Sequence, residues 1–157
     1  MATDVISESG TRSDFWQGVR LSMPVVVASA PFAVLFGALA VDNGFSVLEA
    51  FLMSALVYGG ASQMVGIQLF GQHVAPWLIV LSIFAVNFRH VLYSAGIGGR
   101  IAHWPVISQA LGYFILTDPQ YAVAEARAQS GQTVGFAWYL GLGLPVYVFW
   151  VIESALG

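Results

Sequence analysis

The chain has 157 residues, of which thirteen are charged, eight acidic and five basic, while 58% are hydrophobic. Soluble domains carry roughly 25% charged residues to keep their surface wet, and at 8% this chain cannot coat a water-exposed globule. All five basic residues are Arg and Cys is absent, which excludes a Lys-bearing P-loop together with disulfide, zinc-thiolate and iron–sulfur chemistry. A dispersed formal charge of −3 offers no footprint for nucleic acid.

Lipid is therefore the solvent for most of the chain, and the fold class expected is all-α, a polytopic integral membrane protein of about five hydrophobic segments with broken or kinked helices. Residues 1–14 (MATDVISESGTRSD) are polar and unpatterned and read as a disordered cytoplasmic tail, leaving 15–157 as the transmembrane domain. Leu21 to Val41 is free of charge and long enough to cross a hydrocarbon layer of ~30 Å. A cleaved signal peptide is the competing reading. Against it, this apolar run exceeds a typical h-region and is preceded by Asp4, Glu8 and Asp14. Pro24 and Pro31 are expected to kink or break this span.

From Ala50 to Phe88 there is no Asp, Glu, Lys or Arg, and the turn-forming Gly71-Gln72-His73 and Pro76 divide this run into segments near 50–70 and 76–97. Ile101 to Thr117 follows, ended by Thr117-Asp118-Pro119-Gln120, where Thr117 or Asp118 can cap a new helix with Pro119 in its first turn. That helix stops at Ser130-Gly131, and a last span is expected near 134–154. Arg12 and Arg20 before the first span place the N-terminus in the cytoplasm by the positive-inside bias. Simple alternation then sets Arg100 outside and Arg127 inside, so either one segment between 50 and 97 fails to cross or the bias is weakly obeyed.

Three sets of residues are out of place in lipid. A guanidinium such as that of Arg89 costs from ~2.5 to ~17 kcal/mol near the middle of a span. Either it snorkels to the nearer face or it is a fixed cation in a polar cavity, where its planar fork suits a carboxylate. Helical spacing would present Asn87, His90 and Tyr93 on adjoining faces with it. In the second set, Gly59-Gly60-Ala61-Ser62-Gln63, paired glycines weaken the helix, and Ser62 and Gln63 offer polar groups to an opening. Close helix packing through small residues is the competing account. Asp118 is either a plain cap at the membrane surface or a group that accepts a substrate ammonium or carries a proton. His73, His90 and His103 have no metal-ligand spacing, and no cofactor or catalytic set is expected; an intramembrane hydrolase using Asp118 and His90 is a distant alternative. Phe32-Ala33 with Gly37 and Phe136-Ala137 with Gly141 share a short F-A-x-x-x-G echo.

Pro31-Phe32 with Phe36-Gly37, Met53-Ser54, Gly60-Ala61-Ser62-Gln63, Asn87-Phe88-Arg89-His90-Val91-Leu92-Tyr93 and Thr117-Asp118 together resemble the AzlC-type family, the large subunit of bacterial branched-chain amino-acid exporters. The resemblance covers about residues 15–157 and about the N-terminal two thirds of the usual family member. It implies a multi-pass inner-membrane protein that exports valine, leucine, isoleucine or similar compounds, in exchange for protons and with a small AzlD-type membrane subunit. Where the family pattern tends to have an acidic residue after Thr-Asp, this chain has Pro119. The sequence-level expectation is that Arg89 and the backbone near Gly59 and Gly60 hold a small amino-acid substrate by its carboxylate. Asn87, Tyr93, Ser62 and Gln63 would orient it, and His90 or Asp118 would carry the proton. A non-transporting scaffold or regulatory subunit is the alternative.

Overall fold

The computed structural model describes residues 2–157, with side chains from Gly10 onward. Among the described residues the secondary structure is entirely helical: α1 (Ala2–Asp42), α2 (Val47–Val57), α3 (Gly60–Gly71), α4 (Pro76–Asn87), α5 (Arg89–Ile101), α6 (Val106–Phe114), α7 (Asp118–Gln129) and α8 (Phe136–Leu156). Three runs, Gly10–Asp42, Pro76–Ile101 and Phe136–Leu156, are long and apolar enough to cross a membrane. The chain is a multi-pass membrane protein.

Several boundaries differ from the sequence reading. Helical backbone begins at Ala2, so the polar stretch expected to be disordered extends α1; once a helix is nucleated, each added residue costs little. α1 also runs unbroken through Pro24 and Pro31, and α8 through Pro145. In lipid, the alternative to a helix would strand many backbone groups, whereas a proline forfeits only one hydrogen bond. The expected segment 50–70 is two short helices, and the expected segment 101–117 contains only α6, which begins after Pro105.

The chain forms two compact units, Val26–Val91 with Tyr147–Gly157, and Met1–Val25 with Leu92–Val146. In the first, Phe36, Ala40, Ala50 and Ile67 form one buried cluster and Ala33, Tyr58 and Trp150 another. Ser46 caps α2 through a reciprocal capping box with Glu49, whose carboxyl these hydrogen bonds hold below the usual carboxylate range. At the far end of the pair, Asn43 abuts Gly71, and Phe45 packs edge-on to Phe70 at 4.6 Å. The start of α2 and the end of α3 therefore lie together beside the end of α1, and α2–α3 is a hairpin that returns to the side from which it enters. α4 leaves antiparallel to α3, packed on it where Ile83 lies over Gly66. No residue of α4 is buried as a whole, and Trp77, Val80 and Phe84 are exposed, as expected where lipid is the solvent.

The second unit is built around Ile97, Ile101, Trp104, Leu116, Trp138 and Tyr139. Here too a hairpin forms. Trp104, just before α6, donates its indole N–H to Val134 O just after α7 at 3.1 Å, which brings the two open ends of α6–α7 together. Arg100, at the end of α5, pairs with Glu125 at 3.1 Å, and Arg127 bonds Gln17 near the start of the first span. Arg100 and Arg127 thus share one end of this unit, and the simple alternation that separated them is corrected. It fails because a hairpin that returns to its own side does not count as a crossing.

Gly141 lies against the Phe15 carbonyl, and Gly37 against that of Ser154. The two glycines of the F-A-x-x-x-G echo are thus both points where α1 and α8 approach too closely for a Cβ, the packing role of small residues in membrane helices.

Candidate functional site

The α2–α3 hairpin turns at Tyr58 and Gly59. Tyr58 has φ 35° and ψ 60°, a left-handed conformation that costs a non-glycine residue roughly 1–2 kcal/mol. It is held by burial and by an edge-to-face contact with Tyr147 at 4.9 Å, whose hydroxyl donates to Ala55 O at 3.0 Å. Gly59 then adopts an extended conformation and caps α3 without a side chain.

Gln63 spans the break. Its Oε1 accepts from Gly59 N at 3.3 Å and from Trp150 Nε1 at 3.0 Å, while its Nε2 donates to Ser54 Oγ at 2.9 Å. One fully buried amide thus joins the end of α2, the turn, α3 and α8. Ser62 Oγ donates to Gly59 O at 2.8 Å, and the same carbonyl receives Gln63 N at 2.8 Å, the first intrahelical bond of α3. The amides of Gly60, Ala61 and Ser62 precede that bond, so the helix gives them no acceptor, and the positive end of its dipole points into the break.

Asn87 meets this turn from α4. Its buried Oδ1 has no hydrogen-bond partner among the described residues, and it would lie 3.0 Å from a Cβ placed on Gly59. A side chain at 59 would also meet Ser62 Oγ at 2.6 Å, so the turn can approach Asn87 only as glycine. The α4–α5 run is itself interrupted at Phe88, and His90 Nδ1 lies 3.2 Å from Asn87 O. Arg89 and His90 open α5 and are half-buried.

Of the sequence-predicted residues, then, Gly59, Gly60, Ser62, Gln63, Asn87 and His90 come together around two helix interruptions, with Arg89 beside them in the chain. Tyr93 and Asp118 belong to the other unit. Tyr93 stacks on Tyr121 at 4.7 Å, and Asp118 is the first residue of α7, with Pro119 following it and Thr117 at the N-cap position, where its side chain makes no capping bond. Sequence reasoning missed Ser54 and Trp150 as partners of Gln63. Trp150 sits in an otherwise apolar span, and nothing in its local pattern marks an indole N–H that must be satisfied in lipid. Beside the opening turn of α3 lies a cavity of about 350 Å³ lined by Ser29, Phe32, Gly60, Ala61, Met64 and Trp150, nearly all apolar.

A family model described as AzlC protein matches residues 24–157. This chain belongs to the AzlC family. Besides the AzlC match, the chain is similar to two membrane proteins. Over 145 residues the chain is 32% identical to the inner membrane protein YgaZ of Escherichia coli (strain K12), covering 91% of this chain and 59% of that protein. Over 144 residues it is 39% identical to an uncharacterized membrane protein of Archaeoglobus fulgidus, covering 91% and 61% respectively. The chain thus spans about three fifths of the length of these two relatives. No solved structure gives a significant match.

Proposed function

We propose that the chain is the substrate-recognising part of a secondary transporter that exports branched-chain amino acids across the bacterial inner membrane in exchange for protons, together with a small AzlD-type membrane subunit. The observation that carries this reading is the α2–α3 break, whose free first-turn amides stand next to Asn87 and the Asn-Phe-Arg-His interruption. Broken helices in a bilayer are tolerated only where they are buried in protein or line a cavity, and in transporters their ends face the substrate. The first-turn amides and the Arg89 guanidinium attract a carboxylate. The apolar cavity beside Gly60 receives the branched side chain. Tyr58, held in a disfavoured backbone conformation, fixes the turn at the depth where this happens.

His90, whose Nδ1 lies 3.2 Å from Asn87 O at the interruption, is the first candidate for the proton carrier. Asp118 is the second candidate, and replacing each separately distinguishes them. The N-terminus is cytoplasmic in this reading, supported by Arg12 and Arg20 before the first span and by Arg100 and Arg127 gathered at one end of their unit.

Valine counterflow in proteoliposomes holding the full-length protein and its small subunit tests the proposal. Arg89→Ala should slow counterflow by at least about thirtyfold, the low end of the 2–5 kcal/mol seen when a buried charged partner is truncated. Unchanged counterflow in a variant that inserts normally would remove Arg89 from substrate recognition.

A further inference from the structure

A second cavity, of about 270 Å³, lies between the end of α5 and the α7–α8 loop, with Arg100, His103, Gln132 and Thr133 among its lining residues. We propose that it binds the phosphate of an anionic phospholipid headgroup. The inference does not depend on the transport reading.

The walls are preorganised. α7 is closed by Ser130, whose hydroxyl donates to Arg127 O at 2.7 Å, and Gly131 turns the chain at φ 78°, a conformation that favours glycine. The loop is then fixed from two sides. Arg127 Nε donates to Thr133 O at 2.9 Å, and Trp104 Nε1 to Val134 O at 3.1 Å. Arg100 is aimed by a single bond from Nη2 to Glu125 Oε1, which holds the Glu125 carboxyl below its usual range and hence ionised. A guanidinium has five N–H donors, and the others of Arg100 have no protein partner among the described residues. His103 is exposed and touches only the edge of the Trp104 ring, which leaves its imidazole nitrogens available. Glu125 offsets the charge of one guanidinium, and that of Arg127, which holds the loop at Thr133 O, remains.

Depth selects the source of the phosphate. Arg100 stands at the end of the run Pro76–Ile101, and Val134 just before Phe136–Leu156, so the cavity lies at headgroup level. Behind it, His103 meets the edge of the Trp104 ring and the Arg127 guanidinium lies over Trp138 at 4.4 Å, so two amphipathic rings back the basic residues at this end of the unit. Val106 and Ile107, shortly after His103 in the chain, are 81% and 77% exposed and offer apolar surface to acyl chains. Basic pockets between membrane helices are the recurring recognition device for anionic headgroups.

The test uses the full-length protein in nanodiscs of phosphatidylcholine with or without phosphatidylglycerol, and reads lipid retention by native mass spectrometry. Arg100→Gln should lower phosphatidylglycerol retention about fivefold, the change expected for one Arg at an anionic surface, and His103→Gln should lower it about twofold or more by removing a ring N–H donor. Arg12→Gln, which removes the same charge outside the cavity, should lower it clearly less than Arg100→Gln. Equal retention in all variants, or an equal loss in all three, overturns the site. If Arg100→Gln fails to fold because Glu125 loses its partner, the exposed His103→Gln decides alone. Inorganic phosphate is the second arm. Phosphate that displaces the lipid, or that binds lipid-free protein with the same sensitivity to these variants, overturns the headgroup assignment in favour of a soluble anion.

Discussion

The two hairpins, α2–α3 and α6–α7, solve the same problem with different chemistry. Each must stop a helix within an apolar environment and start another, leaving backbone groups that no water satisfies. Each places a buried glutamine just inside its second helix and ties it to α8. In α2–α3, Gln63 reaches Trp150, Ser54 and Gly59. In α6–α7, the Gln120 amide nitrogen faces Ile115 O and Thr117 Oγ1, while its oxygen faces Gly143 N at 3.2 Å. The breaks themselves differ. The first is made of a left-handed Tyr58 and an extended Gly59, carries no charge and leaves the amides of α3 uncovered. The second turns through the buried apolar residues Ile115 and Leu116, and its new helix begins with Asp118. A shared scaffold thus presents backbone donors in one unit and a carboxylate in the other.

The largest effect expected from breaking this parallel is at the glutamines. Gln63→Leu would strand an amide, a hydroxyl and an indole N–H, at roughly 1–3 kcal/mol each and less than additively, so a loss of about 4 kcal/mol is expected. Gln120→Leu would strand fewer donors and should cost about 2 kcal/mol. Denaturant unfolding in mixed micelles measures both. Equal losses would mean that the two glutamines are not used differently.

A smaller effect is expected at Gly60, where a Cβ would come within 2.7 Å of the Trp150 ring, itself held by Gln63. Gly60→Ala should cost about 1–3 kcal/mol and shift the tryptophan emission, because the ring must leave its seat. Unaltered emission would show that the ring has room to give.

The smallest effect concerns pH. Ser46 holds the Glu49 carboxyl below its usual range, and Arg100 does the same for Glu125. A folded-state pKa below the unfolded value of ~4.3 means that the stabilisation is complete above that pH and is lost as pH falls through the folded value. Thermal midpoints measured from pH 7 down to about 3 should therefore fall less for Glu49→Gln and Glu125→Gln than for the parent protein. Parallel curves would show that neither carboxylate is linked to folding.

Much of this was legible because membrane segments announce themselves by the absence of charge. The run near 134–154 became α8 almost unchanged, and Leu21 to Val41 became the C-terminal half of α1, which begins earlier than its apolar stretch. The breaks at Gly59-Gly60 and Thr117-Asp118-Pro119 were legible too, since paired glycines and a capping residue before proline disfavour a continuous helix whatever surrounds them. The return of α2–α3 to its own side was not, because eleven or twelve apolar residues look the same whether they cross or turn back. Gln63 offered an amide to an opening in the sequence reading; its oxygen is taken up by Trp150, which is 87 residues away along the chain.

The sequence by itself determined the solvent, the helical class, the family and the places where helices must stop, because these follow from local charge, apolar length and backbone preference. Tertiary structure decided which of those stops face one another. It brought Asn87 against Gly59, joined Gln63 to Trp150 and set Arg100 beside Glu125. Such contacts depend on the path of the chain between them, and in lipid each buried polar group must find its partner wherever that path delivers it.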